Sequence, residues 1–435
     1  MKDKELSAEY FLDKHHLNVS AYDFFENCEK FITEMENGLD GGSSLEMVPT
    51  FIEEESEIPV GVPVLVLDAG GTNFRAAIVT FSEDYQPEIT RFRKMGMPGI
   101  ERELTKEEFF SCIVDFIEEL APEAEKIGFC FSYAMDKTPD KDGRLIKFSK
   151  EVKAPEVEGE LIGKGILETL RRRGINNITR IIMLNDTVAT LLAGKAAGGV
   201  DAYDDYIGLI IGTGLNASYN ESNRNIRKLP LLPSGGAQII NIESGSYSMA
   251  PFGSIDVELR NATANPESYH FEKMISGAYQ GPLCLKVMKT AARGGLLSES
   301  FGNALTAVSA GKYGFTTSNL SSLLETACFQ GDLGEAADIE DTEIALKLCR
   351  AVTDRAAFLS AVKLAGIITK TNRGRSADKP VCICADGSTF WKLTGFKDKI
   401  EDYLREYLEA KGQYFKFIEI NNAPIIGAAV AGLTN

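Results

Sequence analysis

The amino-acid sequence predicts an α/β protein built from two related lobes. Strands and amphipathic helices alternate along most of the chain, which is the signature of that class. Within this alternation residues 63–80, PVLVLDAGGTNFRAAIVT, place a tight Gly70-Gly71-Thr72-Asn73 turn between an apolar run and a strand-like run. Two glycines let the backbone turn sharply and approach a ligand closely, since no Cβ obstructs either. Amides of such a turn converge into an anion-binding concavity. Asp68, at the end of the incoming strand, can hold a cation directly or through water. A single Gly-Gly turn is more often an ordinary hairpin. The balance shifts because residues 206–221, YIGLIIGTGLNASYNE, repeat the device around Gly212-Thr213-Gly214. The two turns lie about 140 residues apart, close to one mononucleotide-binding unit each. Neither ends in the Lys-Ser/Thr of a P-loop, and no Gly-x-Gly-x-x-Gly opens a helix after a strand, so those two nucleotide folds are disfavoured.

From the N-terminus, residues 21–36 carry Phe24, Phe25, Cys28, Phe31, Ile32 and Met35 at helical spacing, with Gly38 as the expected stop. Residues 38–62, with Gly41-Gly42-Ser43-Ser44 and the acidic run Glu53-Glu54-Glu55 as a solvated face, read as a connector. An amphipathic helix is expected over 105–120, terminated by Pro122, then a strand over 127–133 with Ser132 at its end. Residues 136–144 read as a polar surface loop, and 145–150 as an extended piece ending in Ser149-Lys150. A helix over 159–174 leads to a buried strand over 178–184, which delivers Asn185-Asp186-Thr187 ahead of a helix over 188–197.

Asp186 has two readings. It can be an N-cap accepting hydrogen bonds from the first helical amides. It can also be a general base at a strand's carboxyl end, where open α/β sheets bind ligands, and one carboxylate can hold both roles. Beyond the second hairpin, 222–238 is loop and 239–242 a short apolar run before Glu243; helical spacing resumes over 271–287. Residues 293–341 show little assignable pattern. One bent helix or two consecutive ones cover 342–368, and a basic loop follows over 369–379. A buried strand over 381–385 opens into Asp386-Gly387-Ser388, and an apolar helix closes the chain over 425–433.

The formal net charge of −17 argues against DNA, RNA or anionic membranes as partners. A nucleotide would then be held by local amides, Mg2+ and a few basic side chains, against the overall field. Eight cysteines without zinc-type pairing fit a reduced, cytoplasmic protein, and Cys382-x-Cys384 reads as one face of a buried strand. A charged N-terminus and the lack of a long apolar run predict neither signal peptide nor membrane anchor. With only His15, His16 and His270, a Ser-His-Asp hydrolase or a His-rich metal enzyme is disfavoured, so the expected proton acceptor is a carboxylate. His15 and His16 are expected to face solvent.

In order along the chain, Leu67-Asp68-Ala69-Gly70-Gly71-Thr72-Asn73-Phe74-Arg75, Asn185-Asp186-Thr187, Gly212-Thr213-Gly214-Leu215-Asn216-Ala217 and Phe271-Glu272-Lys273-Met274-Ile275-Ser276-Gly277 resemble the motifs of the hexokinase family, within the actin-like ATPase superfamily. Glu34-Met35-x-x-Gly38-Leu39 and Met47-Val48-Pro49-Thr50-Phe51-Ile52 are similar to the family's first helix and the segment leading into its phosphate hairpin. The likeness runs from residue 20 onward, with a gap over 285–340. It implies a two-lobed actin-like ATPase (ribonuclease H-like) fold, α/β, with mixed sheets flanked by helices and a cleft between the lobes. The small lobe would comprise 64–185 plus 423–435, and the large lobe 1–63 plus 186–422.

The resemblance implies an ATP- and Mg2+-dependent kinase whose partners are small molecules, transferring the γ-phosphoryl group to the 6-hydroxyl of a hexose: glucose, with mannose or fructose as alternatives. Gly70, Gly71, Thr72 and Asn73 would cradle the terminal phosphates; Gly212, Thr213 and Gly214 would take the other side of the triphosphate, and Gly387 and Ser388 the adenosine. Asp68 would hold Mg2+ through water. Asp186 would accept the proton of the sugar's primary hydroxyl, with Lys150 beside it and Arg75 near the phosphates, unless Arg75 is simply an exposed strand residue. Ser132, Ser149, Lys150, Asn185, Asp186, Asn216, Glu243 and Glu272 would bind the sugar. Carboxylates that accept and carboxamides that both donate and accept suit a neutral polyol.

The departures from the family pattern concern framing. Ser132-Tyr133-Ala134 stands for Ser-Phe-Pro, and Phe148-Ser149-Lys150-Glu151-Val152 for Trp-Thr-Lys-Gly-Phe. Ser244-Gly245 replaces Trp-Gly after Glu243. Thr389-Phe390-Trp391 is one residue longer than usual, and Asn422-Ala423-Pro424-Ile425-Ile426 replaces Gly-Ser-Gly-Lys. Hydrogen-bonding types survive while aromatic and proline framing changes, so sugar binding is expected to be retained with the sugar's identity open, and the C-terminal departures leave the base preference open. The competing expectations are a sugar sensor on the same fold that binds without turnover, or a kinase for another sugar such as an amino sugar. Intact Asp68, Asp186 and Lys150 argue against the sensor.

Overall fold

The apolar runs that flank the two glycine turns fold as the central hairpins of two separate sheets. The computed structural model describes residues 2–53, 57–148, 152–198, 202–309 and 314–435. Glu54 and Glu55 of the acidic run, and the candidate site residues Ser149 and Lys150, lie outside the described residues. The strands are β1 (Val48–Pro49), β2 (Val64–Gly70), β3 (Asn73–Phe81), β4 (Pro87–Gly96), β5 (Lys126–Phe131), β6 (Ala134–Lys137), β7 (Gly143–Lys147), β8 (Arg180–Leu184), β9 (Asp205–Ile211), β10 (Leu215–Ser222), β11 (Ala237–Asn241), β12 (Val381–Asp386) and β13 (Phe415–Ile418).

One sheet runs β4-β3-β2-β5-β8, the other β1-β11-β10-β9-β12-β13. Each is mixed and built alike: an antiparallel glycine hairpin, β2–β3 or β9–β10, with a parallel strand on the far edge of its first member. Burial on both faces makes β2 a continuous apolar run rather than an alternating one. Parallel register sets Asp68, Cys130 and Leu184 in one row, so β2, β5 and β8 deliver their carboxyl ends to one edge. In the second sheet Ile210 stands opposite Asp386, which brings the second glycine turn beside Gly387.

The helix Asp186–Gly198 packs on β9 and β12 and against the C-terminal helix Ala423–Thr434, which itself covers β2 and β5. Missing side chains set this spacing: a Cβ on Gly427 would lie 1.8 Å from the Ala189 carbonyl, and one on Gly128 1.8 Å from that of Ala428. The segment 342–368 is part of one helix, Ile339–Thr371, that runs through the larger core. Its buried Arg355 is held bidentately by Asp256 at 2.6 and 2.8 Å and donates to the His16 carbonyl at 3.0 Å, as a buried charge requires.

Several expectations are corrected. The helix Phe24–Asp40 passes through Gly38, whose bare backbone admits Met47, and ends at Gly41 in the left-handed conformation; Phe25 is exposed. Residues 136–144 are not a plain loop but most of the β6–β7 hairpin. It is fixed by buried Asp142, which accepts from the amides of Gly143, Gly163 and Lys164. The stretch 293–341 holds the helices Glu299–Ala307, Thr317–Thr326 and Asp332–Ala336, too short to show a period. An N-terminal helix, Lys2–Lys14, went unforeseen. Just after it His15 is half-buried rather than solvent-facing, its Nδ1 2.8 Å from Ser254 Oγ, while His16 is exposed. The helical stretch over 271–287 breaks at Ser276 into His270–Ile275 and Gly277–Arg293. Among the described residues no helix is long and apolar enough to cross a membrane.

Candidate active site

At the carboxyl edge of the first sheet, Asp68 is almost wholly buried and pairs with its cross-strand neighbour Arg75, Nη1 to Oδ2 at 3.1 Å. Arg75, expected near phosphate, is therefore engaged by the carboxylate beside the turn. Burial pushes Asp68 up to about 6; Arg75 opposes this and the nearby Asp186 charge adds to it. The turn is pinned from outside. The Met97 amide donates to Thr72 O at 3.0 Å, and the Tyr133 hydroxyl to Gly71 O at 2.8 Å. Tyr133 thus provides a hydroxyl that fixes the glycine turn. Ser132 follows β5 at the same edge, its amide donating to Ala69 O at 3.1 Å.

At the end of β8 the two readings of Asp186 separate. Asn185 is the cap: its Oδ1 accepts from the Val188 amide at 3.0 Å, and its carbonyl from the Ala189 amide at 3.0 Å. Asp186 is the first helical residue, partly exposed, and takes a hydrogen bond from Thr187 Oγ1 at 3.2 Å. Its charge raises the pKa of Asp68 and Cys130 in one sheet and of Glu243 beside the other. Its charge is thus felt both at the carboxylate beside the first glycine turn and in the second sheet's polar cluster.

That cluster forms on β10 and just past β11. Asn216 Nδ2 donates to Asn241 Oδ1 at 2.8 Å and to Glu243 Oε1 at 3.3 Å, while its Oδ1 accepts from the Ser244 amide at 3.2 Å. Asn241 Nδ2 completes the ring with a 2.6 Å bond to Glu243 Oε1. Sequence reasoning missed Asn241, although its place at the end of the apolar run, two residues before Glu243, is a usable signal. Burial pushes Glu243 up to about 7; Asn241 opposes this, and the charges of Glu46 and Asp186 reinforce it. Glu243 holds φ +55, left-handed backbone that a side chain of this size rarely adopts. Glu272, raised chiefly by burial, accepts from the Leu215 amide at 3.0 Å, which brings it to the start of β10.

The second glycine turn meets the segment after β12. Gly212 O accepts from the Gly277 amide at 2.8 Å and from Thr389 Oγ1 at 3.1 Å. Gly387 adopts φ +116, and a Cβ there would lie 2.4 Å from Ile211 O, so only glycine fits. A cavity of about 220 Å³ opens here, lined by Thr213, Gly277, Thr317, Ser388, Thr389 and Lys392 among others. Gly212 to Gly214 and Gly387-Ser388 are thus brought together, joined by Gly277 and Thr317, which the sequence did not single out for this role.

Two family models described as Hexokinase match the chain, one over residues 13–196 and the other over residues 206–434, the second alone covering more than half of it. The chain belongs to the hexokinase family. Hexokinase relatives align along nearly all of it. Glucokinase-1 of Kluyveromyces lactis is 29% identical over 439 residues, 91% of this chain and 90% of that protein. Putative glucokinase-2 of Saccharomyces cerevisiae is 30% identical over 89% of each. Hexokinase-3 of Homo sapiens is 30% identical over 86% of this chain but 41% of its own length. In three dimensions a hexokinase from Schistosoma mansoni complexed with glucose superposes with a TM-score of 0.74 at 23% identity, covering 98% of this chain and 99% of that one. A further hexokinase crystal structure reaches 0.78 at 22% identity over 99% of each. These likenesses establish the two-lobed actin-like fold, and family membership makes the protein a hexose kinase, a phosphotransferase with an alcohol acceptor.

Proposed function

We propose that this hexokinase transfers the γ-phosphoryl group of ATP to the 6-hydroxyl of glucose or a close hexose, with Asp186 as general base. The position of Asp186 carries the reading: its charge reaches both Asp68, beside the first glycine turn, and Glu243, in the polar cluster. A sugar hydroxyl set there can give its proton to Asp186 while its oxygen faces the end of a triphosphate. Positioning and charge neutralisation supply most of the rate in such transfers. The amides of Gly70 to Asn73 would cradle the terminal phosphates, and Gly212 to Gly214 with the Gly387-Ser388 cavity would take the rest of the nucleotide. Asn185, Asn216, Glu243, Glu272 and Ser132 would bind the sugar hydroxyls; Lys150 and Ser149 join them on the family resemblance alone.

Among the described residues no group of three or more His, Cys, Asp or Glu side chains is arranged to hold a metal by itself. A Mg2+ ion would fit as one held by Asp68 through water and otherwise by phosphates, neutralising charge on the transferring group. The small lobe would be residues 64–185 with 423–435, the rest forming the large one. Glucose is favoured because the two yeast relatives are named glucokinases.

A coupled ADP-release assay with glucose, mannose, fructose, glucosamine and N-acetylglucosamine tests the proposal. Hexose-dependent ADP release at one equivalent per sugar phosphate is expected. Sugar binding without ADP release would leave a sensor in its place, and ATP hydrolysis indifferent to sugar would overturn both.

A further inference from the structure

Tyr133 lies in the core of the first sheet, 4% exposed, its ring 4.8 Å from that of Phe131 and 5.3 Å, edge-on, from that of Phe148. A phenol buried this deeply needs an acceptor for its proton. Burial pushes its pKa up to about 12, so it stays a donor throughout the neutral range. The acceptor it takes is the Gly71 carbonyl, 2.8 Å away in the first glycine turn. Gly71 is only partly buried, so water can satisfy that carbonyl without help. The turn's own hydrogen bonding does not require the hydroxyl; what the hydroxyl adds is a choice of orientation.

Orientation matters here because glycine leaves it open. Gly71 holds φ +74, and without a Cβ the peptide that links it to Thr72 meets little resistance to turning. That peptide is planar and trans, so its carbonyl and the Thr72 N–H point in opposite directions. Holding the Gly71 carbonyl toward the core therefore sends the Thr72 amide to the outer side of the turn. Thr72 is exposed, and among the described residues its amide donates to no acceptor. The Met97 amide, 3.0 Å from Thr72 O, keeps the next peptide from turning as well. Ser132, beside Tyr133, donates its amide to Ala69 O at 3.1 Å, which ties the end of β5 to the turn a second time. An amide held outward in this way is a preorganised anion donor, and preorganisation is what makes such donors effective.

We propose that Tyr133 is a positioning residue for phosphoryl transfer: its hydroxyl fixes the Gly71–Thr72 peptide so that the Thr72 amide meets the terminal phosphate of the bound nucleotide. It acts through the turn and not by touching the substrates. This rests on the first glycine turn being the site of the terminal phosphates.

The variant Tyr133→Phe removes the hydroxyl and keeps the ring. Calorimetry on the whole chain measures binding of Mg2+-AMPPNP and, separately, of whichever of glucose, mannose, fructose or glucosamine the wild type holds most tightly. Thermal unfolding and the KM values for ATP and sugar accompany it. We expect AMPPNP affinity about tenfold weaker, with the KM for ATP raised to match, the scale of one lost hydrogen bond. Sugar affinity and sugar KM should stay within about twofold, although Ser132 is the adjacent residue. AMPPNP affinity equal to wild type overturns the proposal. So does an equal loss for sugar and nucleotide with a lowered unfolding midpoint, which marks a residue that only holds the fold together. A wild type that binds no AMPPNP overturns the nucleotide reading as well, whereas wild-type binding with an unaffected variant strikes the role of Tyr133 alone.

Discussion

Asn185 and Asp186 are neighbours with separable jobs in the proposed reading: the first takes the Val188 amide at the start of the helix, and the second is the base. Asp186→Asn should therefore keep the unfolding midpoint and hold sugar affinity within about tenfold, while turnover drops by roughly two to four powers of ten. Asn185→Ala should lose about 1 kcal/mol of stability with the cap, as urea titration would report. Turnover surviving in Asp186→Asn would remove it as the base. Glu243 gives a pH signature. Its folded pKa, about 7, lies above its ordinary 4.5, so the folded state holds this proton more tightly than the unfolded state. The stability it contributes is full below 4.5 and fades as pH rises through about 7. Urea midpoints of the sugar-free protein should fall between pH 5 and pH 8, and Glu243→Gln should lessen that fall; an identical fall in the variant speaks against the assignment. At this scale residue types were legible and partners were not. The pairing of Arg75 with Asp68 follows from antiparallel register across a hairpin, and the bond from Tyr133 to Gly71 O from two strands ending side by side.

Among the elements, the glycine hairpins were readable because alternation, apolar runs and Gly pairs are local signals. The crossing between the second hairpin and the Gly387-Ser388 segment was not, since it depends on β9 and β12 pairing across more than a hundred residues of intervening chain. Gly387 carries that crossing. Gly387→Ala forces φ +116 on an alanine and sets its Cβ against the Ile211 carbonyl, so a loss of about 1–3 kcal/mol is expected. Its kinetic mark should be a raised KM for ATP with sugar affinity little changed, and calorimetry with sugar and nucleotide in turn checks the split. If both ligands weaken together, the segment is not specific to the nucleotide. The same limit explains the errors in the middle of the chain. Short helices such as Thr317–Thr326 rest on caps and tertiary burial, and the β6–β7 hairpin depends on Asp142 reaching the start of the helix Ile162–Arg172.

For the whole molecule, the proposed reading divides the phosphate and sugar ligands between two sheets and assigns Asp186 to the space where they meet. On that reading each set of contacts would be complete only with the two sheets drawn together, so a bound sugar would gain interactions by closing the cleft. Small-angle scattering should show a smaller radius of gyration in saturating hexose than without it, and an identical radius would count against closure. By itself the sequence determined the α/β class, the two glycine turns and the family, and it named most of the polar residues proposed for the site, because these are written in local periodicity and in side-chain chemistry. Only the tertiary structure decided that the Asn185 side chain takes the Val188 amide at the start of the helix and that Asn241 completes the ring around Glu243. Those choices are made by register, burial and close backbone approach, which join residues far apart in the chain and leave no periodic trace along it.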